Sequence, residues 1–131
     1  MLCKNMGVYV IQSLHANWIK IGHHKISHRR PNVYYRYINR GFFSCICPKE
    51  IKDKVAFEDL KLLYWFPNLT TRHEKKIHKY LRESYRSTGE WFQDVHPETL
   101  RSLIIDEFEG VEEQVTEEDL IKAKEWCNYK E

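Results

Sequence analysis

Two short runs near the start constrain the fold of this chain more than any other feature. Gly7-Val8-Tyr9-Val10-Ile11-Gln12-Ser13 and Trp18-Ile19-Lys20-Ile21-Gly22 are both dense in β-branched and aromatic residues, with only Leu14-His15-Ala16-Asn17 between them. Such side chains favour a pleated backbone, and so short a connection leaves room only for a turn, so the pair folds as an antiparallel β-ribbon. Side chains alternate along a strand, so Trp18 and Lys20 share one face and Ile19 and Ile21 the other. Lys20 then points away from the isoleucines, toward solvent or into a cleft.

Downstream, Ser27 opens a predicted helix that carries Arg29, Arg30, Val33, Tyr34, Tyr37 and Ile38 and ends near Gly41. Pro31 shifts its start toward Arg30, because a proline beyond the first turn clashes with the preceding carbonyl. Residues 42–47 and Leu60–Phe66 read as two more strands, the second stopped by Pro67-Asn68. A charged connection joins them. Thr70 or Thr71 opens the strongest helix, which runs through Tyr85 with Ile77, Leu81 and Tyr85 as its apolar stripe. Glu74 and His78 extend that stripe at i, i+4 spacing. A carboxylate on the inward line has two readings: a capping-box partner of Thr71, or a functional ligand. Gly89-Glu90-Trp91-Phe92 follows a Ser87-Thr88 turn and leads into a short final strand or edge. Pro97 and Thr116 each start a C-terminal helix. The resulting order, β-β-α-β-β-α-β and then two helices, is α+β, with a small mixed or antiparallel sheet flanked by helices. Residues 1–95 form its core and residues 96–131 an acidic helical extension packed on the same domain.

The net charge of +2 over 131 residues hides a division. Residues 1–92 hold 17 Lys/Arg against 7 Asp/Glu, and residues 93–131 hold 4 against 12. The basic part also carries most of the 18 aromatics, a composition suited to a polyanion because cations displace counterions and rings stack on bases. No apolar run approaches the ~20 residues that span a bilayer, and the first seven residues hold no signal-peptide core. An intracellular protein without membrane contact is expected, its cysteines reduced. Cys45-x-Cys47 with scattered histidines lacks the paired spacings of structural zinc.

One set of residues carries chemistry. Gly7-Val8-Tyr9 lies on the first strand, Lys20-Ile21-Gly22 on the second, and Arg30 eight residues beyond Gly22. Glu74 sits in His73-Glu74-Lys75-Lys76-Ile77-His78, and Gly89-Glu90-Trp91-Phe92 closes the series. In this order the pieces resemble the GIY-YIG nuclease superfamily, in the branch with a lysine in the second motif and a closing GEWF segment, as in phage-type domains and some restriction endonucleases. The resemblance spans residues 7–92. It implies a divalent-metal-dependent endonuclease that hydrolyses DNA phosphodiester bonds with Mg²⁺ or Mn²⁺. Glu74 matches the family's metal-binding glutamate, and a hard cation that keeps most of its waters needs only one or two such carboxylates. Arg30 would grip the scissile phosphate through its planar fork. Tyr9 is the family's general base. A phenol titrates near ~10, so Lys20 either lowers that value or acts itself as a neutral amine. Read singly, Tyr9 is also an ordinary cross-strand aromatic and Arg30 an ordinary exposed helix residue.

Around this set His23, His24, Lys25, Arg29, Arg36, Lys75 and Lys79 are candidate nucleic-acid contacts, and His78 is expected to line the floor of the site or hydrogen-bond there. The polar residue that many members carry after the catalytic helix has no clear match near Glu90. A second reading is therefore a catalytically weak or inactive DNA-binding or interaction module. The acidic C-terminal helices are candidates for homodimer or protein-partner contact.

Overall fold

The computed structural model describes residues 7–24, 46–54, 59–114, 116 and 118. The helix expected over residues 27–41, residues 42–45 of the next expected strand, and nearly all of the helix expected from Thr116 lie outside them. Within them the ribbon forms as expected. Strands β1 (Gly7–Ser13) and β2 (Trp18–His24) pair antiparallel, with Tyr9 opposite Gly22 and Ile11 opposite Lys20. Strand β3 (Leu60–Phe66) joins the other edge of β1, with a register shift between Val10 and Ile11.

Two expectations are corrected. Ile46 and Cys47 are not in a strand, and the charged connection after them contains a 3₁₀ turn at Lys49–Ile51. Ser87-Thr88 is not a turn but strand β4, paired with β5 (Trp91–Gln93). The reversal between them falls on Gly89-Glu90, where Gly89 has φ +59°, the left-handed conformation that a primed hairpin turn needs at its first central position. Strand β5 then pairs with β2, which gives a five-stranded antiparallel sheet in the order β3-β1-β2-β5-β4.

Both faces of the sheet are covered. On one, Val8, Val10, Ile19, Ile21, Phe66 and Phe92 pack with Ile77 and Leu81 of α1 (Thr71–Arg82) and with Leu100 and Ile104 of α2 (Pro97–Phe108). On the other, Tyr9, Ile11, Trp18, Trp65 and Trp91 pack with Ile51 and Leu60. The alternation read from the second strand holds: Ile19 and Ile21 face the helices, and Trp18 lies in the second cluster. Pro97 occupies the first turn of α2, where its missing N–H costs nothing. Beyond α2, Asn68 clamps the chain, its amide donating to the Glu109 carbonyl and its oxygen accepting from the Val111 N–H. Among the described residues no helix is long and apolar enough to cross a membrane.

The α2 helix is thus part of the main core. Ile104 is fully buried, so Ile104→Ala is expected to destabilise the protein by about 2–5 kcal/mol through lost transfer energy and the residual cavity. Urea unfolding measures this; a loss below about 1 kcal/mol would mean that the helix only rests on the sheet.

Candidate active site

The site forms where one strand outruns its neighbour. Strand β5 pairs with β2 only at Trp18, Ile19 and Lys20. Past Lys20 the free edge of β2 is taken by other groups. The Ile21 N–H donates to the Glu90 carbonyl at 3.1 Å, and the Ile21 carbonyl accepts from His78 Nε2 at 2.7 Å. Since a carbonyl can only accept, His78 carries its proton on Nε2. One residue of β2 therefore anchors both the β4–β5 hairpin and helix α1.

The side chains follow from that arrangement. Lys20 is 7% exposed and donates from Nζ to Tyr9 Oη at 3.1 Å and to Glu90 Oε2 at 3.2 Å. Burial pushes its pKa below the ordinary lysine range, against the opposing pull of the Glu90 carboxylate. Tyr9 lies across Gly22: a Cβ at that position would come within 2.2 Å of Tyr9 Oη. The glycine of Lys20-Ile21-Gly22 is there so that the phenol can lie against the neighbouring strand.

Glu74 enters from α1. It does not close the cap. Thr70, not Thr71, is the N-cap, and its N–H donates to Nδ1 of His73 at 3.0 Å. The Thr71 hydroxyl instead meets His23 Nδ1 at 3.1 Å. The capping-box reading of Glu74 is therefore corrected: among the described residues its carboxylate makes no hydrogen bond. One ligand atom from each of Glu74, His78 and Glu90 lies within 4.8 Å of the other two. Burial and then the Glu90 charge push the Glu74 carboxyl up to about 7, with Lys20 and Lys75 opposing. Burial also lowers the pKa of His78, which favours the neutral imidazole. A half-buried carboxylate with unspent lone pairs, beside a second carboxylate and a neutral imidazole, is a donor set that fits a divalent cation.

No family model, curated protein or solved structure matches the chain.

Of the site residues expected from sequence, Tyr9, Lys20 and Glu74 come together through Glu90. Lys75 and Lys79 are exposed and, with Thr71, Arg72 and Lys76, line an open groove of about 430 Å³ along α1. His23 is half-buried against α1, and His24 ends β2. Lys25, Arg29, Arg30 and Arg36 lie outside the described residues. His78 hydrogen-bonds at the floor of the site, as expected. The residue that sequence reasoning missed is Glu90. Its signal was a polar side chain between a turn glycine and a buried Trp-Phe pair.

The raised Glu74 carboxyl makes stability depend on pH in a known direction. The folded state holds that proton more tightly than the unfolded chain, so stability falls as pH rises from about 4.5 to about 7. Glu74→Gln removes the effect. It is expected to stabilise the protein above pH 7 by roughly 1–2 kcal/mol, the full shift being discounted because the group is partly exposed. The gain should vanish below about pH 4.5, which thermal melts of both proteins across pH would show.

Proposed function

We propose that the chain is a divalent-metal-dependent endonuclease that hydrolyses DNA phosphodiester bonds, of the GIY-YIG kind its motifs resemble. The observation that carries this reading is the convergence of Tyr9 from β1, Lys20 from β2 and Glu74 from α1 on one cleft, with Lys20 Nζ 3.1 Å from Tyr9 Oη. An isolated structural tyrosine has no need of a buried ammonium, and an isolated helix carboxylate has no need to lie beside one.

In this mechanism Tyr9 and Lys20 activate the attacking water. To accept a proton the pair must first have lost one: the Lys20 ammonium, donating to Tyr9 Oη, lowers the cost of the phenolate, and the phenolate then takes the proton of the attacking water and becomes a neutral phenol. The two groups share a hydrogen bond, so the base is assigned to the pair rather than to either residue. Glu74 would hold Mg²⁺ or Mn²⁺, and such an ion would supply positive charge to offset the anionic transition state. Arg30 binds the phosphate, a role that rests on its spacing from Gly22. Along α1, Arg72, Lys75, Lys76 and Lys79 neutralise backbone phosphates without reading sequence.

One observation favours the second reading, a DNA-binding or interaction module without strong activity. Glu90 adds a carboxylate beside Glu74 and occupies Lys20, which places negative charge where a phosphate must arrive unless a cation offsets it.

Plasmid cleavage in Mg²⁺ or Mn²⁺ separates the two. Wild type is expected to nick or cut, and Glu74→Ala and Tyr9→Phe to lower the rate by about 100-fold or more. Full cleavage by Glu74→Ala would remove that residue from the mechanism. Salt-dependent DNA binding without cleavage in any metal would favour the module.

A further inference from the structure

Three groups around the cleft are placed as ligands rather than as packing. His78 is 5% exposed, and its Nε2–H is committed to the Ile21 carbonyl at 2.7 Å. The nitrogen left with a lone pair is Nδ1. A ring N–H held by a backbone carbonyl is the usual outer-shell arrangement of a metal-ligating histidine, since it fixes the tautomer and orients the ring. Glu74 brings a carboxylate that makes no hydrogen bond among the described residues. Glu90 gives Oε2 to Lys20 and keeps its other oxygen.

One ligand atom from each of the three residues lies within 4.8 Å of those of the other two. Atoms that each sit about 2.0–2.2 Å from one ion are at most roughly 4.4 Å apart, so small side-chain adjustments bring the set to bonding distance. Two of the three side chains, Glu74 and Glu90, are only half-buried and free to make them.

We propose that Glu74, His78 and Glu90 form a mixed carboxylate–imidazole metal site that selects a first-row transition ion over magnesium and calcium. The selectivity follows from the nitrogen. Magnesium and calcium prefer oxygen donors and water, whereas imidazole suits transition ions. The inference deepens the nuclease reading and rests on it for the chemistry the ion would serve, while the ligand set stands on geometry alone. It also accounts for a second glutamate beside Glu74: an ion neutralises a pair of carboxylates that otherwise repel across the cleft.

The test is electron-spin-echo spectroscopy of Mn²⁺ added to the protein without DNA, together with competition by Mg²⁺ and Ca²⁺. One bound Mn²⁺ is expected, with nitrogen modulation from one imidazole and retention of the ion against about a 100-fold excess of Mg²⁺. His78→Gln is expected to abolish the nitrogen signal and weaken Mn²⁺ binding by about tenfold or more. Should His78→Gln fail to fold, Glu74→Gln and Glu90→Gln must each weaken Mn²⁺ binding and lose the same signal. Bound Mn²⁺ without nitrogen modulation, displacement by equimolar Mg²⁺, or a nitrogen signal that survives in folded His78→Gln would overturn the assignment. A nitrogen-coordinated ion in a protein that never cuts DNA would uphold the metal site and reject the nuclease. Cleavage by a protein whose Mn²⁺ shows no nitrogen would do the reverse.

Discussion

A lysine ammonium that is only 7% exposed must exchange its hydration for protein oxygens. Among the described residues Lys20 does so with Tyr9 Oη from the neighbouring strand and with Glu90 Oε2 from the β4–β5 hairpin. The rest of the site depends on this exchange. The phenol must lie flat against β2 to receive the bond, which leaves no room for a side chain at position 22. The hairpin must bring Glu90 to the edge of β2, which it does through the backbone bond to Ile21. His78 then ties α1 to the same residue. Three elements distant in sequence are thus fixed to one stretch of backbone, and their side chains share one small volume.

That volume is electrostatically expensive. Glu74 and Glu90 repel and burial penalises the ionised form of Glu74, with Lys20 and Lys75 opposing. A fold selected only for stability would replace such a group of charges by apolar side chains, since breaking even with hydrophobic packing is hard for buried ions. Perturbed groups gathered in a cleft are characteristic of functional sites. A cation bound by the cluster would relieve the repulsion, and by linkage would stabilise the folded chain.

What could be read in the sequence was local. The ribbon is announced by two dense β-branched runs, the start of α2 by Pro97, and the inward line of α1 by Ile77 and Leu81 at helical spacing. Each depends on neighbours within a few residues. The α+β class followed from these. The positions of Tyr9 and Lys20 on the paired strands and of Glu74 on α1 were legible from the same local patterns. The rest depended on partners distant in sequence. Ser87-Thr88 becomes a strand only because Trp91 and Phe92 are themselves held by β2. Glu90 joins the site only because that pairing sets it beside Lys20, seventy positions away. The cap was misread by one residue: Thr70 and His73 form it, and the competing claim on Glu74 disappears.

The central claim is that the charges in this cleft serve chemistry at the expense of stability. Lys20→Met tests it most directly, because methionine fills the same space without charge, and partly exposed Glu90 can be rehydrated when its partner is lost. Stability by urea unfolding and DNA cleavage should be measured on the same preparation. The account predicts a variant at least as stable as wild type that cleaves about 100-fold more slowly or less. A variant that is clearly less stable yet cleaves at the wild-type rate would contradict it, and Lys20 would then be a structural lysine in a site that works without it.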